Sequence, residues 1–156
     1  MNTKISIVGA GYVGTSLGVL ISSKYTVNLY DLDKHKVDLI NKKQSHLEEK
    51  DISNWLTKKK LSISASTNPE EALKGADLYI ICTPTNFDSK TNSFNTQSVT
   101  ESITKILKIN KKAKILIKST IPIGYTQQII KKTRYKAIAF SPEFLREGSS
   151  LQDNLY

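Results

Sequence analysis

Three glycines near the start of the chain have the spacing of a turn that binds a pyrophosphate. Gly9, Gly11 and Gly14 stand in the order G-x-G-x-x-G, between a β-rich run and a helical pattern. The first glycine permits a tight turn, the second lets the backbone approach a phosphate, and the third lets helix and strand pack closely. The free N–H groups at the start of the helix then face the anion. We therefore predict that these glycines, with Tyr12 in the same turn, contact a dinucleotide.

A carboxylate follows at the distance that a ribose contact requires. Asp31 lies 17 residues after Gly14, at the end of a second β-rich run. Its side chain can accept hydrogen bonds from both hydroxyls of the adenosine ribose, and its charge repels a 2′-phosphate. The motif thus favours NAD over NADP as the cofactor. Lys34 and Lys36 follow the carboxylate closely, so NADP remains an alternative cofactor. The alternative interpretation is a tight β–α turn that binds no ligand.

Size and composition are those of an ordinary globular chain. It has 156 residues, of which 38% are hydrophobic and 24% are charged. No apolar run approaches the roughly 18 residues that a membrane span needs, and the N-terminus leads directly into a strand, so we expect no signal peptide. The single cysteine fits a reducing compartment. The net charge of +9 comes from short lysine runs without interleaved aromatic residues. We therefore predict one cytoplasmic domain that binds neither nucleic acid nor membranes.

Strand patterns and helix patterns alternate along the chain. Asn68 and Pro69 form a strong helix start, with asparagine as the cap and proline in the first turn. Ser98 and Glu101 have capping-box spacing near the start of a longer helix. The alternation predicts an α/β fold: a Rossmann-type doubly wound parallel sheet in three αβα layers, with strand order 3-2-1-4-5-6. The predicted strands are Ile5–Val8, Thr26–Tyr30, Leu61–Ala65, Asp77–Cys82, Lys114–Lys118 and Ala137–Phe140, and the predicted helices cover Val13–Ile21, Asp33–Asn41, part of Ser45–Lys60, Pro69–Gly75, Thr96–Ile109 and Thr126–Lys132.

Four loops with unusual residues each follow a predicted strand. Because the carboxyl ends of parallel strands share one edge of a sheet, we expect the loops to converge there, where open α/β sheets bind ligands. Thr85 and Thr120 are hydroxyls on proline-stiffened loops that can hydrogen-bond a cofactor or substrate, with ordinary loop capping as the alternative. The four loops are Gly9–Gly14, Pro84–Asn86, Ser119–Gly124 and Ser141–Gly148.

Two carboxylates in the last of these loops have helical spacing. Glu143 and Glu147 lie four residues apart on either side of Arg146. If this stretch turns helically, both carboxylates share a face and can orient a polar substrate or transfer protons. The alternative is a surface salt bridge.

Cys82 is a tempting nucleophile, but the sequence argues against that role. It lies in an apolar strand, which disfavours a thiolate, and no histidine lies near it in the sequence. We predict that it packs in the core. His35 and His46 have no partners at metal-ligand spacing, so we predict no metal site.

Four motifs together resemble the UDP-glucose/GDP-mannose dehydrogenase family. The resemblance covers essentially the whole chain and is strongest to the bacterial UDP-glucose 6-dehydrogenases. It implies an NAD-dependent oxidation of the primary alcohol of a nucleotide sugar to a carboxylate, with two NAD consumed and a thiohemiacetal and a thioester formed on a cysteine. The motifs are IVGAGYVG at residues 7–14, CTPTN at 82–86, IKSTIPIG at 117–124 and SPEFLREG at 141–148.

The resemblance also implies roles for single residues. Thr120 and Glu147 are similar to residues that handle water and protons, and Glu143 to one that contacts the sugar or the bound aldehyde. These three are the predicted catalytic residues. The implied NAD contacts are Val13, Asp31, Lys36, Thr85, Thr120 and Glu147. The implied substrate loop consists of Glu143, Phe144, Leu145, Arg146 and Glu147.

The family pattern continues beyond Tyr156. There it has a long central helix and a second nucleotide-binding domain, which supplies the nucleophilic cysteine. We therefore expect residues 1–156 to be one NAD-binding domain that binds NAD without complete turnover, as a monomer or weak dimer. Contacts to UDP-glucose or a related nucleotide sugar are expected to be incomplete. Two alternatives remain: a non-catalytic NAD-binding relic or regulatory module, and a dehydrogenase of another nucleotide sugar such as GDP-mannose.

Overall fold

Six short parallel strands form the sheet at the centre of the computed structural model, which describes residues 3–58, 60–89 and 92–156. The sheet has the order β3-β2-β1-β4-β7-β8, and all neighbouring strands are parallel. Counted over the sheet strands alone, this is 3-2-1-4-5-6, so the predicted Rossmann-type fold is confirmed. The strands are β1 Lys4–Val8, β2 Thr26–Tyr30, β3 Ile63–Ser66, β4 Leu78–Ile81, β5 Phe87–Asp88, β6 Ser93–Phe94, β7 Ile115–Ile117 and β8 Ile138–Phe140.

Helices cover both faces of this sheet and give it two separate cores. On one face α4, α5 and α6 bury residues such as Leu73, Ile103 and Ile129 against the strands. On the other face α1, α2, α3 and α7 contribute residues such as Val19 and Leu151. No helix within the described ranges is long and apolar enough to cross a membrane. The helices are α1 Tyr12–Ile21, α2 Lys34–Asn41, α3 Lys50–Lys58, α4 Pro69–Leu73, α5 Gln97–Ile109, α6 Tyr125–Thr133 and α7 Ser150–Leu155.

The helix starts follow from local hydrogen bonds that the sequence encodes. The side chain of Asn68 accepts from the Glu70 N–H at 2.9 Å, and Pro69 takes the first helical position of α4. Asp33 caps α2 in the same way, with its carboxylate accepting from the His35 N–H at 2.9 Å. The capping-box prediction at Ser98 is wrong, because its hydroxyl donates instead to the Pro84 carbonyl at 2.8 Å.

The sequence did not predict a small hairpin and a short helix. β5 and β6 form a small antiparallel hairpin in the connection between β4 and α5, where Phe87 and Phe94 pack edge to face with ring centroids 5.3 Å apart. Helix α7 follows the loop after β8, and its Leu151 is fully buried against the α1 side of the sheet. The chain therefore returns from the last strand of the sheet to the face that carries its first helix.

A buried carboxylate fixes the start of α7. Glu49 is only 3% exposed and lies directly before α3. It accepts hydrogen bonds from the N–H of Ser150 at 3.0 Å, from the hydroxyl of Ser150 at 2.7 Å and from the N–H of Leu151 at 2.7 Å. Three donors, two of them orphan N–H groups of a helix start, compensate the burial of this group.

This arrangement predicts a large cost for Glu49→Ala. The variant leaves three buried donors without their acceptor, so we expect its free energy of unfolding to fall by about 2–4 kcal/mol. Urea denaturation measures the change. Glu48→Ala, at the exposed neighbouring carboxylate, is the matched control and should stay within about 0.5 kcal/mol of the parent chain. Equal losses in the two variants would contradict the role assigned to Glu49.

Candidate dinucleotide-binding site

A cavity of about 480 Å³ opens at the carboxyl edge of the sheet. Its walls come from the turn after β1, the end of β2, the start of the loop after β4, and one face of α5. Ligand sites in proteins are typically roughly 300–1,000 Å³ in volume, so the cavity has room for a large part of a dinucleotide. The predicted site residues on its wall are Gly9, Gly11, Tyr12, Val13, Asp31 and Lys36.

The glycine turn has the packing that close approach of a phosphate needs. Gly9 has a φ of +99°, and a Cβ there would lie 2.6 Å from the Cys82 carbonyl oxygen. A Cβ at Gly14 would lie 1.9 Å from the Gly9 carbonyl oxygen. Gly14 therefore allows the helix to pack closely on the turn, and it does not line the cavity. At Gly11 a Cβ would meet nothing within 4 Å. The space over Gly11 is therefore open, as a dinucleotide pyrophosphate requires.

Asp31 is held in place by the turn that it faces. Its Oδ2 accepts from the Ala10 N–H at 2.6 Å, and its Oδ1 accepts from the Asp33 N–H at 2.9 Å. Each carboxylate oxygen can accept a further hydrogen bond. The side chain is thus oriented at the cavity wall, where it can bind ribose hydroxyls, and Lys36 also lines this wall.

Helix α5 supplies a wall of the cavity that the sequence analysis missed. The sequence predicts the apolar face of this helix, but the polar stripe beside it was not recognised as part of a site. The polar residues of the stripe recur every three and four positions, and this spacing could have shown that they share one face of the helix. Tyr30, Leu32 and Thr83 were missed as well. The stripe consists of Ser98, Glu101, Ser102 and Lys105.

Lys105 carries a positive charge on the α5 wall. Its Nζ donates to the Tyr30 hydroxyl at 2.7 Å and lies 4.6 Å from the centroid of the Tyr30 ring. The tyrosine thus holds the ammonium through a hydrogen bond and a cation–π contact. Among the residues that the structure describes, Lys36 and Lys105 are the cations on the cavity wall, and both can attract a dinucleotide phosphate.

The other predicted site residues do not line this cavity. Thr120 is exposed after β7, and Phe144 is 90% exposed after β8. They lie on loops at the same edge of the sheet, because the strands before them run parallel to β1. The predicted residues outside the cavity wall are Gly14, Thr85, Thr120, Glu143, Phe144, Leu145, Arg146 and Glu147.

Hydrogen bonds tie three of the edge loops together. The buried Ser119 donates its hydroxyl to the Thr83 carbonyl at 2.7 Å, which joins the loop after β7 to the loop after β4. Lys118 donates from Nζ to the Pro142 carbonyl at 3.2 Å, which joins the loop after β8. These three loops therefore converge as expected, although among the three only the start of the β4 loop reaches the cavity.

The stretch from Glu143 to Glu147 is not helical, so its two carboxylates are not paired on a helix face. Glu143 accepts from the Leu145 N–H at 3.0 Å, and the side chain therefore stabilises its own turn. Arg146 forms its salt bridge with Asp153 of α7, with Nη2 and Oδ1 2.6 Å apart. Hydrogen bonds from Arg146 lower the pKa of Asp153. The shared helix face considered for the two glutamates is therefore absent, and Arg146 pairs with a helix that the sequence did not predict.

Cys82 packs in the core, as the sequence predicts. It is 9% exposed, and burial raises the pKa of its thiol to about 12, with a smaller opposing effect of Lys118 and a further increase from Glu143. The thiol is therefore protonated at neutral pH and is a poor nucleophile.

The difference between Gly11 and Gly14 predicts two separate effects of the same substitution. Gly14→Ala places a methyl group against the Gly9 carbonyl and should cost about 1–3 kcal/mol or more of unfolding free energy. Gly11→Ala has room and should cost less than about 1 kcal/mol, while its methyl group fills the space for the pyrophosphate and weakens NAD binding at least tenfold. Thermal unfolding and calorimetric NAD titration measure the two effects. Unchanged NAD affinity in Gly11→Ala would contradict the site.

The buried thiol predicts an alkaline loss of stability. The unfolded chain releases the Cys82 proton near the ordinary pKa of 9.0, while the folded chain holds it to about 12. The unfolded state therefore binds fewer protons between these values, and stability falls as pH rises through this range. Cys82→Ala should show a smaller fall in unfolding free energy over the same range. In addition, iodoacetamide should label the folded parent far more slowly than the urea-unfolded chain; equal rates would contradict the burial.

Comparison with solved structures agrees with the fold. The structure of UDP-D-ManNAc dehydrogenase from Pyrococcus horikoshii superimposes with a TM-score of 0.85 at 22% identity, over 97% of this chain and 38% of that one. This likeness bears on the fold alone.

Sequence relatives are closer. The UDP-glucose 6-dehydrogenase of Streptococcus pneumoniae is 44% identical over 153 residues, and that of Campylobacter jejuni is 43% identical over 155 residues. Each match covers 98% of this chain and 39% of the relative, so the chain spans about two-fifths of their length. The family model described as the NAD binding domain of the UDP-glucose/GDP-mannose dehydrogenase family matches residues 3–156. The chain therefore belongs to this family and carries its NAD-binding domain.

Proposed function

We propose that this domain serves a UDP-glucose 6-dehydrogenase, which oxidises the C6 alcohol of UDP-glucose to the carboxylate of UDP-glucuronate with two NAD. The observation that carries the proposal is the open space over Gly11 beside the fixed Asp31 carboxylate. The similarity to the two bacterial UDP-glucose 6-dehydrogenases supports the choice of sugar nucleotide.

The residues of the cavity account for binding of the cofactor. The N–H groups of Gly11, Tyr12 and Val13 lie at the start of α1 without intrahelical acceptors and bind the pyrophosphate. The carboxylate of Asp31 accepts from the ribose hydroxyls, and Lys36 adds a positive charge beside it. When bound, NAD supplies the acceptor for the hydride that leaves the substrate carbon.

The loops beyond the cavity have a second role in this proposal. Thr85 and Thr120 contact the cofactor, while Glu147 works with Thr120 in handling water and protons. The loop from Glu143 to Glu147 contacts the sugar. The bonds that Ser119 and Lys118 make between neighbouring loops support this assignment, because they hold these groups at the same edge of the sheet as the cavity.

Covalent steps of the reaction need a cysteine from elsewhere. The 156 residues contain one cysteine, and the raised pKa of Cys82 leaves it protonated at neutral pH. A thiohemiacetal and a thioester require a thiolate that attacks the aldehyde carbon. The proposal therefore assigns the nucleophile to a part of the enzyme outside residues 1–156.

The cellular location and the partners of the protein belong to the same proposal. A free, buried thiol is typical of a reducing compartment, which supports a cytoplasmic location. The partners are NAD and a nucleotide sugar, and the monomeric or weakly dimeric state of the 156 residues stays a prediction.

Calorimetric titration of the 156-residue chain with NAD and NADP tests the cofactor site. We expect NAD to bind at least tenfold more tightly than NADP, a difference of about 1.4 kcal/mol, because Asp31 repels the 2′-phosphate. Asp31→Asn should weaken NAD binding and reduce the preference over NADP. Asp38→Asn removes an exposed carboxylate on α2 and is the control. An equal affinity for both cofactors would contradict the role of Asp31.

An activity assay of the same chain tests whether the nucleophile lies outside residues 1–156. With NAD and UDP-glucose present, absorbance at the NADH band should not rise continuously. Sustained NADH production by residues 1–156 would overturn the assignment of the nucleophile to another part of the enzyme.

A further inference from the structure

The peptide groups on both sides of Ala10 are held by side chains from outside the glycine turn. The Ala10 N–H donates to Asp31 Oδ2 at 2.6 Å. The Ala10 carbonyl lies 2.7 Å from His46 Nε2. A carbonyl oxygen can only accept, so His46 Nε2 must carry the proton and donate. His46 comes from the connection between α2 and α3, which has no other part in the site described above.

The contact with His46 bears directly on the phosphate-binding amide. The Ala10 carbonyl and the Gly11 N–H belong to the same planar trans peptide, so they point in opposite directions. A donor that fixes the carbonyl therefore also fixes the direction of the Gly11 N–H. It also polarises the peptide and strengthens that N–H as a donor. Gly11 lies on the cavity wall with open space above it.

The environment of His46 favours the neutral ring with a single donor. The Nδ1 atom is buried and has no hydrogen-bond partner in the described part of the chain. Burial lowers the pKa of His46, its hydrogen bond to Ala10 opposes this, and the charges of Lys36, Asp31 and Asp33 act on it in both directions. At neutral pH the ring is therefore neutral, and Nε2–H is its only N–H group.

We propose that His46 is a positioning residue for the cofactor site, which orients the Gly11 N–H toward the dinucleotide pyrophosphate through its hydrogen bond to the Ala10 carbonyl. This inference rests on the proposed binding of NAD at the glycine turn. His46 does not line the cavity, so in this proposal it acts through the Ala10 peptide and not by contact with the ligand. Its effect is thus confined to ligands that carry the pyrophosphate.

Binding of ligands with and without a pyrophosphate distinguishes a positioning role of His46 from a purely structural role. Adenosine uses the Asp31 side of the site and lacks a phosphate, whereas ADP-ribose and NAD need the Gly11 N–H. His46→Phe keeps a planar ring of similar size but has no donor. His46→Gln has an amide that can donate over a similar reach. His35→Phe changes the exposed histidine of α2 and is the matched control.

Calorimetric titrations of the 156-residue chain and its variants give the test. Loss of one hydrogen bond to the turn should weaken ADP-ribose and NAD binding by roughly three- to tenfold in His46→Phe, with adenosine binding unchanged. His46→Gln should recover most of the loss, and His35→Phe should match the parent. Equal weakening of adenosine and ADP-ribose, or no weakening in His46→Phe, would overturn the proposal.

An NMR measurement keeps the inference testable without any ligand. The Gly11 amide resonance of the parent should shift with pH as His46 titrates, with a midpoint below the ordinary histidine pKa of 6.5, and this step should vanish in His46→Phe. A Gly11 resonance that ignores both the pH step and the substitution would refute the contact. Failure of the parent to bind NAD would instead refute the proposed function, so the two failures are distinguishable.

Discussion

The hydrogen bond between the Ala10 N–H and the Asp31 carboxylate is the contact on which the site depends. At 2.6 Å it is a short bond to a charged acceptor, and it joins the turn after β1 to the end of β2. Through this one bond the carboxylate that we propose as the ribose contact also holds the turn that we propose as the pyrophosphate site. Parallel pairing of β1 with β2 brings both ends to the same height, with Val8 opposite Tyr30. The sheet thus brings Ala10 and Asp31 close together, and the hydrogen bond between them fixes their relative position.

The architecture could be predicted from the sequence because it depends on local signals and on general rules. Asn68 and Pro69 mark a helix start by chemistry within four residues, and right-handed crossovers leave few strand orders for an alternating chain. Helix α7 was missed because its cap, Glu49, is 101 residues away from Ser150. A six-residue helix held by such a distant partner has no local signature. Arg146 pairs with Asp153 of this unpredicted helix, so the sequence offered only the neighbouring glutamates as salt-bridge partners.

Part of the candidate site was equally visible in the sequence. Gly9, Gly11 and Asp31 have a motif whose physical roles are known, so their types and spacing were enough. Lys105 lies on the cavity because α5 turns its polar stripe toward Tyr30, and this rotation is set by packing against the sheet. The contact of His46 with Ala10 depends on the path of an irregular connection, which no periodicity describes. Residues positioned by tertiary packing thus required the structure.

The path of the last helix also has a consequence for synthesis on the ribosome. Leu151 fills the core on the α1 side of the sheet, and the Ser150 donors satisfy the buried Glu49. Until these residues leave the exit tunnel, the nascent chain has an open apolar surface between α1 and α3 and an uncompensated carboxylate. The earlier elements can pair as they emerge, but closure of this side waits until residue 151 has left the exit tunnel.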